Sequence, residues 1–121
     1  MYSDVVLEHF RNPRNSGSLP NATAAVQSTN PICGDILELA VRVENSVVVE
    51  ARFLCRGCTT SIACASCLTE QLTGKTLVAA RCITAEDISE ALGGLPPATF
   101  HGAQLAADAL RLLLEKLNEA R

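Results

Sequence analysis

Basic clusters and long hydrophobic runs are both missing from this sequence, and each absence removes a class of function. No run of Lys or Arg exceeds one residue, and 10 basic side chains face 13 acidic ones, for a net charge of -3. That leaves no electrostatic footprint for nucleic acid or for anionic lipid, so neither is expected as a partner. No apolar stretch approaches the length needed to span a membrane. The first residues, from Met1 through Phe10, lack the cationic start, apolar core and small-residue cleavage site of a secretory signal, which predicts a cytoplasmic location. A disulfide scaffold is disfavoured as well. Six cysteines in 121 residues is too few for one, and a reducing compartment makes free thiols or metal ligands the better expectation. Internal repeats and low-complexity tails are absent. With 48% of its residues apolar, the chain is expected to form one domain over residues 1–121 that buries about two thirds of its unfolded surface without needing a metal or disulfide to fold.

The local patterns predict helices and strands in mixed order. Ser3 is suited to cap a helix through about Arg11, with Val6 and Phe10 on one side, ending before Asn12-Pro13. Asn12 to Pro20 is loop, and Thr23 to Thr29 an edge strand. From Asp35, Leu37, Leu39, Val41 and Val43 alternate with Glu38, Ala40, Arg42 and Glu44; after a turn at Asn45-Ser46, Val47, Val49, Ala51, Phe53 and Cys55 do the same. This predicts a hairpin with one buried face, and parity puts Cys55 on the Phe53 side as a small buried hydrophobe. Gly57 breaks the strand. Thr59 or Thr60 then caps a helix to about Thr73, closed by Gly74, with Cys64 and Cys67 inside it as core residues. Thr84-Ala85-Glu86-Asp87 reads as a capping sequence for a helix from Ala85 to Leu92, and Cys82 before it as packing. Leu95 to Thr99 is expected to be extended because of its two prolines. A final helix from His101 to Ala120 carries an apolar stripe of Ala106, Ala109, Leu110, Leu113 and Leu117.

Four of the six cysteines form two C-x-x-C pairs at Cys55, Cys58, Cys64 and Cys67. Only five residues separate the pairs, whereas a zinc knuckle site places about a dozen or more between them so that the chain can return to the metal. A thioredoxin-type pair at Cys55 and Cys58 fits poorly, because the strand before it belongs to a hairpin and not to a βαβ unit. Collecting residues at element ends gives a different set: Cys33 and Asp35 before the first hairpin strand, Cys58 at a helix start that favours an anionic ligand, and His101 at another helix start. In an extended segment Cys33 and Asp35 face the same way, and Gly34 between them allows close backbone approach. Two thiols, a carboxylate and an imidazole make a tetrahedral set for zinc and a plausible one for a [2Fe-2S] cluster.

The sequence also resembles the iron-sulfur cluster assembly scaffolds of the IscU type, equivalent to the N-terminal domain of NifU. The residues that carry the resemblance are Tyr2-Ser3, His9, Asn12 to Asn15 with Gly17, Cys33-Gly34-Asp35, Ala51 to Phe53, Gly57-Cys58, Ile62-Ala63, Thr69-Glu70, Gly74-Lys75, Leu95 to Pro97, His101, Leu105-Ala106 and Asp108-Ala109, nearly the whole chain. The insertion that marks the SufU branch is missing. The resemblance implies an α+β fold, a three-stranded antiparallel sheet packed against helices in a SufE/IscU-like sandwich. It implies Cys33, Asp35, Cys58 and His101 as ligands of iron or of a [2Fe-2S] cluster. A cysteine desulfurase would supply sulfur, apo iron-sulfur proteins would accept the cluster, and Hsp70/Hsp40-type chaperones would bind at Leu95-Pro96-Pro97. Such a protein is a scaffold and not an enzyme. Because a carboxylate oxygen suits cluster iron less well than a thiolate, a site using Asp35 is expected to release its cluster readily.

Two departures stand out. His101 is followed by Gly102 where the family has cysteine, a position associated with sulfur acceptance and metal binding, and glycine does neither. Ala98-Thr99 replaces the usual Val-Lys after the Leu-Pro-Pro stretch. These open two alternatives: a diverged homologue that holds zinc or modulates a desulfurase, and persulfide chemistry at Cys58 with Cys55 or Cys64 as resolving thiol.

Overall fold

The computed structural model describes residues 2–119. Helix α1 (Asp4–Arg11) starts where Ser3 accepts a hydrogen bond from the Val6 amide at 3.2 Å. Its buried face is not the expected one: Val6 and His9 point inward and Phe10 is exposed. His9 is tolerated inside because its ring is paired, Nδ1 with Ser66 Oγ at 2.8 Å and Nε2 with Glu70 at 3.4 Å.

Strands β1 (Ala24–Thr29), β2 (Ile36–Glu44) and β3 (Val47–Arg56) form one antiparallel sheet in that spatial order. Its inner face repeats at every second residue. Leu37 lies between Ser28 and Cys55, Leu39 between Val26 and Phe53, and Val41 between Ala24 and Ala51. Asn45 and Ser46 both have positive φ, 53° and 62°, the backbone that a two-residue type I′ hairpin turn requires. The parity expected for β3 fails next to this turn. Arg42 pairs with Glu50 but Val43 with Val48, so Val49 is an extra, bulged residue. Val48 is therefore the buried valine, while Val47 and Val49 are half-buried.

Helix α2 (Thr59–Leu72) follows with Cys58 itself as the cap residue, in place of Thr59 or Thr60, and Gly74 in the left-handed region just past its end. From Ala63 through Thr69 every residue is buried, so this helix runs through the middle of the molecule. Its content of Ala, Ser and Cys lets α1, α5 and β3 pack against it closely. A short helix α3 (Leu77–Ala80), capped by Thr76, was not expected from the sequence. Helix α4 (Ala85–Ala91) has the capping box in full, Asp87 N on Thr84 Oγ1 and Thr84 N on Asp87 Oδ2. Cys82, expected to pack, is exposed. The Leu95–Thr99 stretch is not wholly extended: Pro97–Thr99 is one 3-10 turn, with Pro97 at its first position, where the missing N–H is harmless.

Helix α5 (His101–Glu119) buries the predicted stripe of Ala106, Ala109, Leu110, Leu113 and Leu117 against the sheet, α2 and α4. Ala120, its expected last residue, lies outside the described residues. The architecture is α+β, with helices on the inner face of a three-stranded meander. Among the described residues no helix is long and apolar enough to cross a membrane. One end of the fold gathers the β1–β2 loop, the β3–α2 junction and the start of α5.

Candidate functional site

Cys33 and Asp35 reach this end through a turn, not an extended segment. The side chain of Asn30 accepts from the amides of Ile32 and Cys33, at 2.9 and 3.4 Å, and the Gly34 amide donates to the Asn30 carbonyl at 2.8 Å. Gly34 takes part through its φ of +77°, which L side chains rarely adopt; a Cβ there would meet nothing within 4 Å, so close approach is not its role. The close approach occurs at Gly57, where a Cβ would fall 2.8 Å from Asp35 Cγ and 2.9 Å from Oδ2. The carboxylate lies in the space a side chain at 57 would fill.

The four expected residues converge. Ligand atoms of Cys33, Asp35 and His101 all lie within 4.8 Å of one another. Cys58 Sγ is 3.7 Å from His101 Nε2, and the Cys58 amide donates to Asp35 Oδ2 at 3.4 Å. Cys33 is exposed, Cys58 and His101 half-buried, and Asp35 only 8% exposed. Burial works to raise the Asp35 pKa, but hydrogen bonds from the Ser61 hydroxyl and the Cys58 amide, with the Cys33 and Cys58 thiols, outweigh it and hold the carboxyl below its usual range. The carboxylate is therefore charged and available as a donor to a cation. Two thiols, one carboxylate and one imidazole, drawn from three chain segments, form a donor set suited to iron or zinc.

Two residues that matter here, Ser61 and Gly57, had no site role on sequence grounds, Gly57 being read only as a strand breaker and as part of the family resemblance. Ser61 donates to Asp35 Oδ2 at 2.6 Å and lies 3.4 Å from Cys58 Sγ. Its spacing of three from Cys58, which puts both on one side of a helix, was the available signal. Gly57 gave a weaker one, since a glycine at the end of a strand has many reasons to be there.

The other cysteines are placed differently. All six are free. Burial pushes the Cys55 thiol up to about 12, with Asp35 and Cys58 adding to the shift, and pushes Cys67 up to about 11, with help from Glu70. Cys64 is fully buried and its thiol is raised further still, again by burial first. Gly102 is buried against the first turn of α2. The three atoms nearest to the position of a Cβ on it, each at 3.2 Å, belong to Thr60 and Ser61. No cysteine takes the place of a side chain at 102, because helix α2 occupies that direction.

The sequence matches the NifU-like N terminal domain family over residues 1–120. Among curated relatives, the iron-sulfur cluster assembly scaffold protein IscU 1 of Archaeoglobus fulgidus is 43% identical over 111 residues, covering 92% of this chain and 72% of that protein. The iron-sulfur cluster assembly scaffold protein IscU of Escherichia coli is 39% identical over 124 residues, covering 99% and 96%. The crystal structure of the N-terminal part of a NifU-like protein from Brucella abortus superposes with a TM-score of 0.81 at 17% identity, covering 98% of this chain and 95% of that one. A SufU-type structure from Fervidobacterium islandicum gives 0.78 at 22% identity, covering 93% and 96%. At these identities the two structures speak for the fold alone.

Proposed function

The chain belongs to the NifU-like N-terminal domain family, and from that premise we propose that it is a scaffold on which an iron-sulfur cluster is assembled and from which it is passed on. The observation that carries the proposal is the convergence of Cys33, Asp35, Cys58 and His101. The cluster is the cargo. These four protein ligands would complete a [2Fe-2S] cluster, two on each iron. Cys33 and Cys58 would hold it by thiolate, His101 by imidazole and Asp35 by carboxylate. The carboxylate is the weakest partner for cluster iron and so the natural point of release.

Sulfur is expected to come from a cysteine desulfurase. With glycine at 102, and with Cys55 and Cys64 held as thiols by burial, acceptance of that sulfur at the ligand site falls to Cys33 or Cys58. A resolving role for Cys64 would further require the first turns of α2 to unwind. The exposed Pro96 and Pro97 leave the Leu95-Pro96-Pro97 stretch accessible to an Hsp70/Hsp40-type chaperone, and apo iron-sulfur proteins would receive the cluster. Six free thiols suit a reducing cytoplasm. The scaffold itself makes and breaks no substrate bond on its own account, so it is read as a non-enzyme.

Anaerobic reconstitution with ferrous iron, cysteine and a desulfurase tests this. The chain should gain visible cluster absorption with iron and acid-labile sulfide in equal amounts, and Cys58→Ala should lose it. A folded chain that gains no such absorption and purifies with zinc alone would overturn the proposal in favour of a zinc-holding homologue, the reading that the loss of a thiol at 102 would otherwise suggest.

A further inference from the structure

One residue with no part in the ligand set touches two of its four members, Asp35 and Cys58. Ser61 is 1% exposed, and its hydroxyl donates to Asp35 Oδ2 at 2.6 Å. The same hydroxyl oxygen is 3.4 Å from Cys58 Sγ. Its amide nitrogen would lie 3.2 Å from a Cβ on Gly102, so the backbone at 61 also sets how near the start of α5, and with it His101, comes to α2.

A serine hydroxyl has one proton to donate, and an ionised carboxylate only accepts. The short bond therefore commits that proton to Asp35, and towards Cys58 the serine oxygen acts as an acceptor. Hydrogen bonds to an ionised group are the stronger kind, and this one is shielded from water. The remaining restraints on the carboxylate are weaker. The Cys58 amide is 3.4 Å from Oδ2, and glycine at 57 sets no side chain against the group.

We propose that Ser61 is a positioning residue of the metal centre: by holding Asp35 through Oδ2 it keeps the carboxylate aimed at the point shared with Cys33 and His101. This rests on the ligand assignment made above. Without the hydroxyl, Asp35 loses its shortest restraint and the centre is no longer preorganised for a cation. Partners of metal ligands that act in this way typically change metal affinity by about 10–100-fold.

Co2+ is the probe, titrated into the full chain, reduced and anaerobic, because its visible absorption reports both occupancy and ligand set. Ser61→Ala should weaken Co2+ binding about tenfold or more and move the spectrum towards that of Asp35→Ala. In an Asp35→Ala background, Ser61→Ala should change neither affinity nor spectrum. Alanine is the best helix former, so α2 should survive the change, and a thermal melt of each variant verifies it. Ser61→Gly, which also removes the hydroxyl, should give the same spectral shift. Parent-like affinity and spectrum in folded Ser61→Ala would overturn the inference. So would an equal loss of affinity in both backgrounds, which would mark Ser61 as merely structural. A parent chain that takes up no Co2+ would overturn the ligand assignment itself, a different failure from the absence of coupling.

Discussion

At the scale of single residues, the site depends on what is missing at Gly57 as much as on its ligands. A methyl group at 57 would press on the end of the Asp35 side chain, which is able to move, and not on backbone. Gly57→Ala should therefore leave the chain folded while displacing Asp35 from Ser61, and weaken Zn2+ binding by about tenfold or more, as read by competition with a chromophoric chelator. The cysteines separate by burial. Alkylation of the folded chain at about pH 8, followed by peptide mass mapping, should modify exposed Cys33 and Cys82 quickly and reach Cys64 and Cys67 only after denaturant is added, because both inner thiols are buried with raised pKa values. The residue types and their placement at element ends offered Cys33, Asp35, Cys58 and His101 as candidates, and the family resemblance implied the same four. They were not enough to find Ser61, because a serine in a helix gives no sign of whether its hydroxyl bonds to its own backbone or to a residue 26 positions away.

Among the elements, those with strong local signals followed them. Thr84 and Asp87 built the capping box their spacing promised, and α5 buried the stripe its 3.6-residue period marked out. The hairpin did so only in part. The β3 alternation holds at Ala51 and Phe53 and reverses near the turn, because the bulge at Val49 shifts the pleat by one residue. A run of three valines, all equally apolar, gave no way to tell which one faces in. The turn itself has a defect that can be repaired. Ser46 sits at φ +62°, where L residues are strained by about 1–2 kcal/mol, and glycine is not. Ser46→Gly should stabilise the chain by up to about 1 kcal/mol in urea denaturation, the remainder being offset by the greater freedom of glycine in the unfolded state.

For the whole molecule, α1 and the loop after it are fastened to α2 by polar groups. Ser66 Oγ accepts from the Arg14 amide at 2.8 Å and bonds His9 Nδ1, while Thr69 Oγ1 donates to the Arg14 carbonyl at 3.1 Å. Burial first, then the Arg14 guanidinium, lowers the His9 pKa below the ordinary histidine value of 6.5, against the smaller pull of Glu70 and Glu8. The unfolded chain therefore takes up a proton before the folded chain does. The stabilisation is complete above about pH 6.5, is lost as pH falls from there towards the lower folded value, and changes no further below it. The urea midpoint should accordingly drop between about pH 7.5 and pH 5.5, and His9→Gln should flatten that slope. Taken alone, the local pattern of the sequence determined the β2–β3 hairpin, the α4 capping box and the long C-terminal helix and offered four ligand candidates, because periodicity, capping residues and donor chemistry are local properties of the chain. The three-stranded α+β sandwich was implied by the family resemblance. Tertiary structure decided that His9 and not Phe10 is buried in α1, that Cys82 is exposed, and that α2 fills the direction a side chain at 102 would take. It also decided that Ser61 and Gly57 position Asp35. Each of these depends on which segment of a distant part of the chain lies opposite, and that is fixed only when the helices close on the sheet.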